Sequence, residues 1–284
     1  NEAMLRLHEK ALPWAGAAIR LEERDDGGVV VAVQRGKLYC TFPLADQPEG
    51  LPLHLNACFD LDSSRRRLSL DESAYAEADQ VRVAWNRALL RHALPQAAAL
   101  AIAALVPAAA EAGLGRFYAL WPALVGAGAA WQELHAGLVA RLAELPLIRT
   151  RAADEVAWGA LMTSRLPPPL FGPDLQEALR DDGLRLPDPD LPPRMIRAAD
   201  AAGVQTRRYR PAELRDWLRC EEALGLPLPL APRACLRERS HIVDLLQFCL
   251  SDRKDDIADL PLALTCDEQV RTFGRAGELF LADD

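Results

Sequence analysis

Gly36–Leu70, GKLYCTFPLADQPEGLPLHLNACFDLDSSRRRLSL, is the stretch whose reading decides the fold. Leu38–Phe42 and Leu51–Leu61 are extended apolar runs, the second opened by Gly50 and Pro52, and Arg67–Leu70 reads as a short strand that completes a small sheet. The triple arginine Arg65, Arg66 and Arg67 directly follows the second run. Three adjacent guanidiniums cannot all enter a core, because each needs a carboxylate or phosphate to offset its desolvation. The cluster is therefore either a solvated face or a binding feature.

Upstream, Val29–Val33 and Leu38–Phe42 flank Arg35-Gly36 and predict a β-hairpin, and Glu2–Leu12 predicts a short helix ending at Pro13. Downstream, Val81, Trp85, Ala88 and Leu89 fall at helical spacing, with Pro95 closing that helix. The alanine-rich run 96–145 predicts nearly continuous helix, with Trp131, Leu134, Leu138, Val139 and Leu142 in one stripe. Beyond Leu145, Leu147–Arg149 and Glu155–Trp158 suggest a second hairpin. Helices Pro173–Arg180 and Pro192–Ala202 are stopped by Gly183 and Gly203, and Pro211 starts another. Ser240 caps an amphipathic helix carrying Ile242, Leu245, Leu246, Cys249 and Leu250, and short strands follow at 260–265, 270–273 and 279–282. The expected class is α+β, small sheets packed with helices and helix-rich, as two tandem sheet-plus-helix units over residues 1–145 and 146–284.

Composition narrows the function. Half of the 284 residues are hydrophobic and 26% charged, which excludes global disorder, and a net charge of −8 argues against nucleic-acid binding as the main purpose. Six cysteines without CxxC spacing, several among apolar neighbours, read as reduced thiols of a cytoplasmic protein and give no zinc site. The runs 97–110 and 117–131 are too short to cross a bilayer and are broken by Pro107 and Pro122. No signal peptide is visible, and a chain beginning at Asn1 reads as a piece of a longer polypeptide.

Catalytic patterns are missing. There is no GxxxxGK[ST] loop, no GxSxG elbow and no HExxH, and the five histidines are dispersed, with His92 and His135 on or beside helical stripes. Asp181-Asp182, Asp255-Asp256 and the run Arg207-Arg208-Tyr209-Arg210 read as solvated loops. No nucleophile, base and oxyanion set can be named, so the chain by itself reads as no enzyme.

Several segments, in order, resemble the repeat region of the sacsin-like chaperone proteins and their bacterial relatives. Leu12-Pro13-Trp14 before small residues resembles their LPW entry, and GKLYCTFPL at 36–44 their "GR-aromatic-C-F-L-P-L" strand. GLPLHLNACFDLDSSRRR at 50–67 is similar to "GLPVHINAAFALSSNRR", and Trp85–Leu90 matches "WNRALL". DLLQFCLS at 244–251, LPLAL at 260–264 and Leu279-Phe280-Leu281 resemble the closing "LLEYCLSD … GLPLLPL" and "LFL". LPLAL lacks the second proline, and residues 91–239 contribute no match.

The resemblance implies a non-catalytic middle region of an ATP-regulated chaperone, downstream of a heat-shock-chaperone-type ATPase fold. It would couple that nucleotide-binding domain to client or partner binding. ATP and Mg would belong to that upstream domain, with no cofactor in this chain. A magnesium site of that ATPase type needs a helical asparagine with glutamate four residues ahead; here Pro52 and Arg82 precede Asn56 and Asn86. In related ATPases the following domain lends a basic residue to the γ-phosphate, a task that suits a planar, permanently charged guanidinium. Arg65, Arg66 and Arg67 are then the nucleotide-facing candidates, Arg65 or Arg66 foremost, with His54 and Asn56 on one strand face pointing to the same site. The plainer reading pairs the arginines with Asp60, Asp62, Asp71 or Glu72, makes Asn56 a strand anchor, and gives Trp85 and Asn86 to core packing and helix-to-loop hydrogen bonding. Partners expected are the upstream ATPase domain and protein clients, not a membrane or nucleic acid. The rival functions are a protein-interaction module without nucleotide coupling, a component of a bacterial defence or nucleic-acid-processing ATPase, and an independent enzyme.

Overall fold

Small sheets packed with helices make up the computed structural model, which describes residues 14–25, 27–32, 34–65, 67–70, 80–123, 129–219, 224–253 and 256–274. The class is α+β. In chain order come β1 (Ala15–Ala18), β2 (Leu21–Glu23), β3 (Val29–Val31), β4 (Leu38–Cys40), β5 (Phe42–Pro43) and β6 (His54–Ala57). Helices α1 (Gln80–Ala88), α2 (Leu94–Ala103), α3 (Val106–Ala112), α4 (Leu114–Tyr118) and α5 (Ala129–Glu144) follow. Then come β7 (Ile148–Ala152), β8 (Glu155–Gly159), β9 (Arg165–Leu166), α6 (Pro173–Asp181), β10 (Leu186–Pro187) and α7 (Pro193–Ala201). The chain continues through β11 (Arg207–Arg208), α8 (Pro211–Leu218), β12 (Leu224–Pro227), α9 (Arg239–Cys249), β13 (Ala263–Leu264) and β14 (Gln269–Arg271). Two compact units share this chain: residues 1–148, 159–163 and 190–206 form one, and 149–158, 164–189 and 207–284 the other.

In the first unit the sheet order is β1-β6-β4-β5, with β1 antiparallel and β4 parallel to β6. The hairpin expected from Val29–Val33 and Leu38–Phe42 does not form: β3 pairs instead with β2, and β4 with β6 and β5. The cause is a backbone approach. Gly36 N donates to Leu51 O at 2.6 Å and Leu55 N to Lys37 O at 2.9 Å, and a Cβ at Gly36 would overlap the Leu53 carbonyl. Residues 34–38 are thereby laid along 51–55 instead of turning back on β3. Regular pairing in the expected strand 51–61 is confined to β6, and 67–70 contributes a single bridge, Leu61 to Leu68.

Pro95 does not close a helix. α1 runs through a π-turn at Leu89–Ala93 into α2, where the Leu94 N–H reaches back to Leu89 O and Pro95 sits in the first turn. Proline has no N–H to give the Arg91 carbonyl and its ring crowds that carbonyl, so a widened turn accommodates it. The nearly continuous helix expected over 96–145 is divided at Ala104–Leu105, at Gly113 and after Tyr118. α5 presents buried Leu134, Leu138, Val139 and Leu142 to α2 and the π-turn, a face at helical spacing. Its Gly137 allows the closest approach, since a Cβ there would lie 2.9 Å from Arg91 O.

The second unit packs α6, α8 and α9 around Leu175, Leu179, Leu214, Leu218, Ile242 and Leu245. β7 and β8 form the expected hairpin, extended on its other side by β10, and Gly183 and Gly203 stop α6 and α7 with φ of 90° and 77°. Ser240 is not a cap: α9 starts at Arg239 after an extended Glu238 that offers no side-chain cap. Polar links tie the core together. Asp182 accepts from Ala234 N at 2.6 Å and Cys235 N at 2.8 Å, and buried Arg215 donates to Asp252 Oδ1 at 2.5 Å and to Cys249 O. Burial pushes the Cys249 thiol up to about 12. The expected helix 2–12 and strand 279–282 lie outside the described residues, among which no helix is long and apolar enough to cross a membrane.

Two groups set a pH dependence. His135 is 1% exposed, and this burial outweighs the opposing influence of the Glu49 backbone and holds the imidazole below its ordinary 6.5. The unfolded chain therefore takes up this proton first, and stability falls as pH drops below 6.5. Burial would raise Glu213, but hydrogen bonds from Arg165, from Arg210 N and from the Arg210 guanidinium bring it from 4.5 to about 2, and the stability it confers is lost between those values. Urea midpoints measured from pH 7.5 to 5.5 should flatten in His135→Phe, and those from pH 5 to 2 in Glu213→Gln. Unchanged slopes would refute the two assignments.

Candidate functional site

The arginine cluster sits on a hairpin whose base is held by one helix. After Ala57 the chain leaves the sheet, and α1 grips it at successive points. Trp85 Nε1 donates to Cys58 O at 2.9 Å. The fully buried Asn86 accepts from Asp60 N at 2.8 Å through Oδ1, and its Nδ2 donates to Asp60 O at 2.7 Å and Ser69 O at 3.0 Å. Arg82, one helical turn earlier, holds the Asp60 carboxylate through Nε at 2.9 Å and Nη2 at 2.6 Å. An amide offers one acceptor and two donors, and Asn86 spends all three kinds of contact on both sides of the hairpin base.

Beyond that base the chain turns over Asp62. Asp62 N donates to Arg67 O at 3.0 Å and Arg65 N to Asp62 O at 2.9 Å. The Asp62 carboxylate accepts from Ser64 Oγ at 2.7 Å and from Arg67 N at 3.3 Å. Arg65 has φ +55°, the left-handed conformation that a tight reversal demands and that a non-glycine residue adopts at a cost. Its side chain is exposed and has no ion-pair partner among the described residues. Arg67 approaches Asp46 at 3.6 Å, both partners largely exposed. Arg66 lies outside the described residues.

His54 and Asn56 occupy one face of β6, while Leu55 and Ala57 are buried on the other. His54 is committed within the unit: Nδ1 accepts from Lys37 N at 3.1 Å, Nε2 lies 2.8 Å from the Gln34 amide, and Tyr39 packs edge-on at 5.6 Å. Asn56 is half-buried and pairs across to Gly16 and Tyr39. The turn thus unites Arg65 and Arg67, whereas His54 is engaged in contacts among residues 34–39.

Sequence reading overlooked Arg82 and Asp46. Asp60, one of the carboxylates expected to pair with the cluster, is held by Arg82. The available signal was the i, i+4 spacing of Arg82 and Asn86, which places both on one helix face opposite residue 60. No group of three or more His, Cys, Asp or Glu side chains among the described residues could hold a metal ion.

An α+β region with an arginine-tipped hairpin braced by a Trp-Asn helix is the class these residues define. Over 113 residues the chain is 26% identical to human sacsin, a match covering 39% of this chain and 2% of that protein. No family model and no solved structure matches.

Asn86→Ala removes three hydrogen bonds to the peptide groups of Asp60 and Ser69 at a fully buried position. It should cost about 2–4 kcal/mol of stability by urea titration. The isosteric Asn86→Asp loses both donors and should also be destabilised. Wild-type stability in both variants would show that the clamp contributes nothing.

Proposed function

We propose that this chain is a non-catalytic middle region of a sacsin-like, ATP-regulated chaperone, acting in the cytoplasm. It couples an upstream nucleotide-binding domain of the same polypeptide to protein clients or partners. The observation that carries this reading is the exposed guanidinium of Arg65, without an ion-pair partner among the described residues, on a hairpin whose base is fixed by Trp85, Asn86 and Arg82. The similarity to sacsin over 113 residues supports the relationship. Asp60 is held by Arg82, and Asp62 accepts from Ser64 Oγ and Arg67 N within the turn, while the Arg65 side chain is exposed.

ATP and Mg, bound upstream, would supply the phosphoryl chemistry. Toward them this chain contributes guanidinium donors. A fork of N–H groups fits phosphate oxygens, and a braced turn places it with little reorganisation. Arg65 and Arg66 would face the phosphate, while Arg67, drawn toward Asp46, orients the turn. The described cysteines Cys40, Cys58, Cys235, Cys249 and Cys266 are free thiols, which suits a reducing cytoplasm.

The test is ATP turnover by the full-length parent with Arg65, Arg66 and Arg67 replaced singly by alanine. A tenfold or greater fall for Arg65→Ala or Arg66→Ala, about 1.4 kcal/mol or more, with an unchanged circular-dichroism melt, is the expected result. Wild-type turnover in all three would sink nucleotide sensing and favour a protein-interaction module.

A further inference from the structure

Away from the hairpin, the first unit contains an open cleft of about 620 Å³. Its walls include Gln34, Arg35, Glu49, Leu51, Trp121 and Arg194, and its volume is that of a small-ligand site. Backbone contacts fix its shape. Gly36 N donates to Leu51 O at 2.6 Å and Ala123 N to Gly50 O at 3.2 Å. Gly50 has φ +74°, and a Cβ there would overlap the Ala123 carbonyl, so the two sides meet backbone to backbone. A cleft pinned in this way does not have to be ordered when a ligand arrives.

Its charge is unbalanced. Arg35 is exposed and has no ion-pair partner among the described residues. Arg194 lies in the first turn of α7, a helix with no acidic residue in that turn. There its charge adds to the positive end of the helix dipole instead of opposing it, an arrangement that an anion relieves. One Nη2 donation to Tyr118 O, at 3.3 Å, uses only part of a guanidinium that carries five N–H groups. Glu49 is the one carboxylate in the lining, against these two cations. Leu51, Pro52 and Trp121 give the same cleft an apolar side, and the buried Trp121 Nε1–H has no acceptor among the described residues.

We propose that this cleft binds a small phosphate monoester with an apolar body, the phosphate held by Arg35 and Arg194 and the body lying on Leu51, Pro52 and Trp121. A single carboxylate is fully served by one guanidinium fork, whereas a phosphate dianion has the charge and oxygens for two. This inference is independent of the nucleotide reading of Arg65 and Arg66.

Calorimetric titration of the intact chain with phenyl phosphate, inorganic phosphate and benzoate tests it. Phenyl phosphate should bind saturably at millimolar concentration or below, and more tightly than either of the other probes. Arg35→Glu and Arg194→Gln should each weaken it at least tenfold, while Arg141→Ala, on the exposed side of α5, should bind as wild type. Arg35 has no described partner to lose, so Arg35→Glu decides the matter even if Arg194→Gln fails to fold. Absence of saturable binding, or wild-type affinity in Arg35→Glu, overturns the site. Equal affinity for benzoate overturns the phosphate assignment, and equal affinity for inorganic phosphate overturns the apolar part.

Discussion

One buried amide organises the first unit. Asn86 is wholly enclosed, and its side chain meets the peptide groups of Asp60 and Ser69 as a neighbouring strand would. Peptide groups buried beside a helix cannot find partners in that helix, whose own N–H and C=O groups are already paired. A side-chain amide carries the same donor and acceptor chemistry on a movable stem, so it serves where strand pairing is impossible. Trp85 and Arg82 complete the hold by taking the Cys58 carbonyl and the Asp60 carboxylate. Everything beyond, including the exposed arginines, is positioned by this base.

The adjoining order follows from a second constraint of the same kind. Gly36 lies against the Leu51–Leu53 backbone too closely for any side chain, which brings β4 alongside β6 in parallel. That approach also forms one wall of the cleft that contains Arg35 and Arg194. A single glycine thus sets a strand order and a binding surface at once.

What could be read from the sequence was whatever a side chain announces. Trp85-Asn86 advertised a polar residue on a packed helix face, and the stripe from Leu134 to Leu142 advertised a buried helix. Prolines at the starts of α6, α7 and α8, with glycines after the first two, marked those ends well. Features settled by backbone geometry were not legible: the Gly36 approach that cancels the β3–β4 hairpin, and the π-turn that carries a helix through Pro95. Ser240 misled because capping needs an extended residue at the boundary, and the chain places Glu238 there. The partners of the arginines were hidden for another reason, since proximity in sequence does not choose an ion pair. Asp60 went to Arg82 and Asp46 came from another loop, and Arg35 and Arg194 share a cleft that no spacing foretells.

The π-turn at Leu89–Ala93 has a consequence for how this chain can vary in length. Each residue of an α-helix advances the face by about 100°. The widened turn absorbs one residue between the segment that carries Asn86 and the segment that packs Ala98 and Ile102 into the core. Deleting a residue there would restore an ordinary helix and leave the amide facing Asp60 and Ser69, because the turn has already taken up the extra residue. Inserting another would exceed what one widened turn absorbs and swing the amide by about that angle, away from both. The interval from Trp85 to Pro95 can therefore shorten by one residue more readily than it can lengthen.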